Sequence, residues 1–195
     1  MINLVQVRIS LDYTYPEIYR VIVVPRDITF LEFHHIIQIS MGWKNQHLFG
    51  FIIDGYRVGE IVDNFILGEN IINCRETILK DLIIEGDEFK YEYDFGDSWL
   101  HTIKIEKFDH EKLQPHQIPY CIKGKMKCPP ENCGGIPGFQ HFLSIISDVS
   151  HKEFRKMIVL AGEYFNPTKF SKVTVNRRLR NIDGYLKLWE EDGLY

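Results

Sequence analysis

Three segments of this chain alternate apolar and polar side chains: Val5-Gln6-Val7-Arg8-Ile9-Ser10-Leu11, Phe89-Lys90-Tyr91-Glu92-Tyr93-Asp94, and the run 99–106. No other feature restricts the fold as much. A period of two sends every second side chain to the same face, so each segment reads as a half-buried strand. A turn-rich stretch over 12–17 leads from the first segment into a β-branched run at 18–24, which predicts a hairpin with a long connection. Thr29 and Glu32 have the spacing of a capping box, and Phe30, Phe33, Ile37 and Met41 then fall on one helical face before Gly42. This predicts a helix over about 29–41. A strand over 48–53 and an Asp54-Gly55 turn into Tyr56-Arg57-Val58 complete the order strand, strand, helix, strand, strand.

The stretch 59–87 carries weaker signals, read as loop with short strand pieces. Between the two later alternating segments lies Phe95-Gly96-Asp97-Ser98, which predicts a second hairpin. A Pro-, Gly- and Cys-rich loop follows over 114–138. The last third carries three helical stripes: Phe139, Phe142, Leu143, Ile146; then Phe154, Met157, Ile158, Ala161; then Val175, Leu179, Ile182, Leu186, Trp189, read as one helix that Gly184 weakens. The expected fold class is α+β. It is a β-grasp-like two-layer arrangement with a mixed or mostly antiparallel sheet, one covering helix and a C-terminal helical part. The 195 residues are expected to form a single domain, strand-rich over 1–110, looped over 114–138 and helical over 139–192.

With 45% hydrophobic and 26% charged residues, the composition excludes disordered and collagen-like chains. A net charge of −4 provides no global basic field toward nucleic acid or anionic lipid. There is no run of about 20 apolar residues and no basic leader at the start, so the expected compartment is the cytoplasm. The 13 Phe and 10 Tyr suffice for a large core and leave rings to line a pocket.

Several groups of residues can carry chemistry. In the segment 91–101, a four-residue hairpin loop sets Glu92, Asp94, Trp99 and His101 on one face, whereas a five-residue loop parts Asp94 from His101. Carboxylates near a histidine serve as acid and base or as hard metal ligands; equally, the aspartates cap their own turn. Ser98 after Gly-Asp, with Asp148 and His151 downstream, has the outline of a serine-esterase pair, but it lies mid-chain between two strands. Cys121, Cys128 and Cys133 with His116 could close a tetrahedral zinc site, though no C-x-x-C knuckle is present. Gly134-Gly135-Ile136-Pro137-Gly138 reads as a helix start whose N–H groups can also meet an anion. Lys169, Lys172, Arg177, Arg178 and Arg180 make a local basic patch suited to nucleic acid or to a solvated helix face.

The segment 29–43 with His47, the motif 91–101, and Cys128-Pro129-Pro130-Glu131-Asn132-Cys133-Gly134-Gly135 before Pro137-Gly138-Phe139 together resemble the plasmid pRiA open-reading-frame-three-like family. That family also carries a transposon-passenger, TnpR-type label. The resemblance runs from about residue 5 to about residue 179, as for a full-length single-domain member. Asp94, Gly96, Asp97, Trp99 and His101 match its hairpin motif, and Pro129, Pro130, Glu131, Gly134 and Gly135 match its loop motif. Asn132 stands where members often have an acidic residue. The resemblance brings a plasmid and mobile-element setting and no established activity. A resolvase would need a serine among several arginines, and Ser10 has only Arg8 and Arg20 near it in sequence.

The leading expectation is a non-enzymatic binding or accessory module. Its pocket would lie between the hairpin and the Cys-Pro-Pro loop and hold a peptide, nucleotide or small anion through Asp94, Asp97, Trp99, His101, Glu131, Gly134 and Gly135. One alternative is a metal-dependent hydrolase or nuclease using Asp94, Asp97, His101 and Glu131. The other is a DNA-associated partner using the basic patch. The hairpin and loop are expected to touch, because a loop without a periodic apolar face stays ordered only by docking onto something rigid.

Overall fold

A computed structural model describes residues 3–61, 71–108, 118–162 and 165–191. The alternating segments become strands of an eight-stranded mixed sheet, and the fold is α+β. In chain order the elements are β1 (Leu4–Leu11), β2 (Ile18–Pro25), α1 (Phe30–Met41), β3 (Phe49–Ile53), β4 (Tyr56–Gly59), β5 (Ile71–Asn73) and α2 (Leu79–Leu82). They continue with β6 (Glu88–Tyr93), β7 (Trp99–Glu106), β8 (Tyr120–Lys125), α3 (Gly135–Ile146), α4 (Phe154–Leu160), α5 (Lys172–Leu179) and α6 (Ile182–Glu191). The strand order is β5-β4-β3-β6-β7-β1-β2-β8, with only the β4–β5 pair parallel. The order β1, β2, α1, β3, β4 that suggests a β-grasp is thus carried inside a wider sheet.

The period of two sorts the faces. Val5, Val7, Ile9, Leu11, Phe89, Tyr91, Tyr93, Trp99, His101, Ile103 and Ile105 are buried on the inner face. The outer face carries ion pairs such as Lys90–Asp12 (2.7 Å), Arg8–Glu17 (2.8 Å) and Arg57–Glu92 (3.2 Å). Partly exposed pairs of this kind contribute only about 0–1 kcal/mol each; their main effect is to keep that face wet and polar.

Helix α1 covers the inner face. Thr29 accepts from the Glu32 N–H (3.1 Å) and Glu32 Oε2 accepts from the Thr29 N–H (2.7 Å), so the capping box is closed. Phe30 and Phe33 pack on Phe51 with ring centroids 5.1 and 5.5 Å apart. At the other end Gly42 takes a left-handed φ of 105° and donates to the Gln38 carbonyl.

Four elements differ from the sequence reading, the first being the short helix α2, which lies in the stretch 59–87 read as loop with short strand pieces. Residues 120–125, taken as loop, form the edge strand β8, whose pairing with β2 shifts register between Val21 and Ile22. Its polar and glycine composition, Ile122-Lys123-Gly124-Lys125, hides the alternation. The last helical stripe belongs to two helices, α5 and α6, which break at Arg180-Asn181; Asn181 donates back to the Arg178 carbonyl (2.9 Å). Helix α3 starts at Gly135, inside the glycine-rich segment, rather than near Phe139.

Candidate functional site

The hairpin loop has five residues, because Tyr93 pairs with Trp99 across β6 and β7. Asp94 opens it with a φ of 56°, and its Oδ1 accepts from the N–H groups of Gly96 (3.0 Å) and Asp97 (3.2 Å). This register puts Glu92 on the outer face and Trp99 and His101 in the core. Glu92, Asp94, Trp99 and His101 therefore do not share a face. His101 Nδ1 lies 3.3 Å from the Tyr91 carbonyl, and burial pushes its pKa down to about 4. Trp99 packs against Trp43 at 5.4 Å. Both residues support the hairpin from below.

Asp97 reaches the Cys-Pro-Pro loop: its Oδ2 accepts from the Gly134 N–H at 3.0 Å. The anion met by the start of α3 is thus the chain's own carboxylate. Behind it the backbones are close, for a Cβ on Gly135 would stand 2.5 Å from the Asp97 carbonyl oxygen. Hairpin and loop are in contact.

A second junction joins the loop to residues 43–47. Glu131 Oε1 accepts from the Lys44 N–H (2.6 Å) and from the Tyr93 hydroxyl (3.1 Å), which itself accepts from the Gln46 N–H (2.9 Å). His47 Nε2 lies 3.5 Å from Asp94 Oδ2 and 4.0 Å from Glu131 Oε2. The two carboxylates are 9% and 8% exposed and the imidazole 28%, so only the histidine side chain reaches solvent appreciably. Burial raises the Glu131 pKa, opposed by the Lys44 and Tyr93 hydrogen bonds and by His47. The 43–47 segment is fixed from beneath by a buried chain. Gln38 Nε2 donates to Tyr91 Oη (2.9 Å), His34 bridges Tyr91 Oη (2.8 Å) and Asn45 Oδ1 (2.5 Å), and the Asn45 N–H returns to Gln38 Oε1 (2.9 Å). His47 thus joins the two motifs.

A large cavity borders the loop away from the hairpin residues. It has a volume of about 810 Å³ and is bounded by the Cys-Pro-Pro loop, α3, α4, α5 and the end of α1. Residues 94–101 do not line it, so the hairpin braces the loop and the loop forms a wall. Its apolar surface comes from Phe142, Met157, Leu160, Phe165 and Phe170, and its cations are Arg20, Lys44, Lys127, Lys169 and Arg178. Among the described residues Glu131 is the single carboxylate in the lining. Arg20 is 2% exposed and donates to the backbone carbonyls of Tyr19 (2.7 Å), Ser40 (2.9 Å) and Lys125 (2.9 Å). The Ser40 bond caps the negative end of α1. Burial first, then the charges of Arg178 and Lys169, lower the Lys127 pKa. Its ammonium stands 4.6 Å from the Phe165 ring centroid.

The family model for plasmid pRiA4b ORF-3-like protein matches residues 3–174. The chain belongs to this family. An uncharacterized protein, y4hQ, from Sinorhizobium fredii (strain NBRC 101917 / NGR234) is 31% identical over 162 residues, covering 82% of this chain and 81% of that protein. The crystal structure of a protein of unknown function, MM3350, from Methanosarcina mazei Go1 superposes with a TM-score of 0.75 at 29% identity, over 87% of this chain and 95% of that one.

Among the described residues no group of three or more His, Cys, Asp and Glu is arranged to hold a metal ion. Cys121 is buried at the β8–α5 junction, with its N–H and C=O both bonded to the Asn176 side chain (2.7 and 2.9 Å). Burial raises the pKa of Cys121 to about 11, of Cys133 to about 12 and that of Cys128 further still, so all three are thiols at neutral pH. His116 lies outside the described residues. Asp97 and His101 do not join Asp94 and Glu131, since one is bonded to Gly134 and the other is in the core. Ser98 Oγ donates to Glu92 (3.0 Å), and His151 accepts from the Glu153 N–H (3.2 Å), so the esterase outline is two local turn contacts. Of the basic patch, Lys169 and Arg178 line the cavity, while Lys172, Arg177 and Arg180 lie outside it. No helix among the described residues is long and apolar enough to cross a membrane. Sequence reasoning missed Lys44 and Lys127, which sit in no periodic pattern; the one local signal is that Lys127 directly precedes the Cys-Pro-Pro motif.

Proposed function

We propose that this chain is a binding module whose ligand is an anion held in the cavity between the Cys-Pro-Pro loop and α3–α5. One observation carries the reading: among the described residues five cations line the cavity against a single carboxylate, and that carboxylate is already bonded to Lys44 and Tyr93. A protein with a net charge of −4 has no general reason to gather cations in one concavity. Like-charged groups gathered in one concavity gain most from a ligand of opposite sign. Asp94, Asp97, Glu131, Gly134 and Gly135 then act as the brace that sets the loop wall, and Trp99 and His101 as its packed base. The family's plasmid association supports an accessory role.

The test is thermal unfolding in sulfate, phosphate and citrate against chloride at matched ionic strength. A ligand that binds only the folded state raises Tm. The reading expects a rise with the multivalent anions that is abolished in Lys127→Gln/Lys169→Gln. An unchanged Tm across the panel would overturn it.

A further inference from the structure

We propose that the cavity is a site for organic phosphate esters, with the phosphoryl group at Lys127, Lys169 and Arg178 and the organic body on Phe142, Met157, Leu160 and Phe165. This rests on the anion-binding reading and narrows it. Lys127, Lys169 and Arg178 form no ion pair with any carboxylate among the described residues. All three line the same cavity, and the charges of Arg178 and Lys169 act on Lys127 there. A guanidinium fork with two ammonium groups matches the three oxygens and double charge of a phosphate monoester. A monocarboxylate would leave most of that charge uncompensated.

Two further observations set the remaining terms. Arg20 is nearly fully buried beside the same cavity, and its hydrogen bonds go to backbone carbonyls, so it adds a fixed positive charge that no carboxylate among the described residues pairs with. Its guanidinium lies 4.5 Å from the Phe170 centroid. A volume of about 810 Å³ is also far larger than inorganic phosphate needs. It falls in the range of pockets that hold a whole small molecule. Leu160, 68% exposed, offers an open apolar surface to a ligand, beside Phe142, Met157 and Phe165, which line the cavity and also pack on the core. The ester is either a free small molecule such as a mononucleotide or the phosphorylated end of a longer chain; the recognition chemistry is shared.

The experiment is calorimetric titration of the intact chain at pH 7.5 with phenyl phosphate, AMP, inorganic phosphate and benzoate. Phenyl phosphate is expected to bind at least about tenfold more tightly than either inorganic phosphate or benzoate, the scale of one charge-assisted contact or one buried ring. Lys127→Gln, Lys169→Gln and Arg178→Gln should each weaken it by about tenfold, while Arg180→Gln, outside the cavity, leaves it unchanged. Leu160→Glu, a substitution at an exposed position, should weaken it without loss of Tm. A 5′-phosphorylated trinucleotide that binds more tightly than AMP would assign the phosphate to a chain end; the reverse order would assign it to a free nucleotide. Equal affinity for benzoate and phenyl phosphate would overturn the phosphate assignment and leave anion binding standing. Equal affinity for inorganic phosphate would overturn the organic body. No binding by any of the four would remove the anion reading with it.

Discussion

At the scale of single residues, the contact between hairpin and loop depends on atoms that are absent as much as on those present. Gly135 has a φ of 65° and its missing Cβ leaves room for the Asp97 carbonyl, 2.5 Å from where that carbon would stand. Gly135→Ala is therefore expected to destabilise the fold by about 2 kcal/mol or more, combining left-handed strain with displaced backbone. Urea unfolding measures this, and a loss below about 0.5 kcal/mol would show that the loop moves away freely. Asp97→Asn keeps an acceptor for the Gly134 N–H but removes the charge at the start of α3. It should cost about 0.5–1 kcal/mol, less than Asp97→Ala, which also leaves that N–H without its partner. If the two variants lose the same stability, the charge and not the hydrogen bond carries the contact. These glycines and aspartates were visible in sequence as turn formers. Their pairing with each other was not, because nothing in the spacing of 97 and 134 shows which loop docks on which turn.

Elements were legible where one period governed the whole segment. The alternation in β1, β6 and β7 and the capping box of α1 come from local forces, and the structure repeats them nearly residue for residue. Strand β8 was not legible because an edge strand with one neighbour has little need to alternate. The α5–α6 break escaped because a stripe stepping by four and three continues smoothly across a two-residue turn. Tertiary contacts settle both. Asn176 on α5 bonds the N–H and C=O of Cys121 on β8, an arrangement no sequence period encodes. Asn176→Ala would leave two buried backbone groups unpaired, and the expected cost is about 2–4 kcal/mol. Helix α5 also carries Arg178, so the same variant should loosen the cavity. The checks are urea unfolding and loss of hydrogen-exchange protection at the Cys121 amide. Retention of that protection would mean that β8 holds α5 by packing alone.

Three of the described histidines, His34, His35 and His101, are buried, and that makes the stability of the whole molecule depend on pH in a definite direction. Burial lowers the pKa of His101 and His35 from 6.5 to about 4 each, and drives that of fully buried His34 well below 6.5. Between pH 6.5 and 4 the unfolded chain binds protons that the folded chain refuses, so stability rises with pH across that window. The contribution is complete above pH 6.5 and is lost as pH falls toward 4. At about 1.4 kcal/mol per unit, His101 and His35 contribute about 3 kcal/mol apiece, against a typical total of about 5–15 kcal/mol. His34 adds to the same side. Glu131 opposes them weakly, since its raised pKa favours the folded state at low pH and that preference fades as pH rises above 4.5. The net expectation is a urea midpoint that is level above pH 7, falls steeply below 6.5 and reaches acid unfolding between about pH 4 and 5. His101→Phe keeps a ring between Tyr91 and the sheet but cannot take a proton. It should lower the stability at pH 7.5 and also reduce the slope below pH 6.5 by about one proton. A midpoint that stays level from pH 7 to 5 would mean that these histidines are charged in the fold, contrary to their burial.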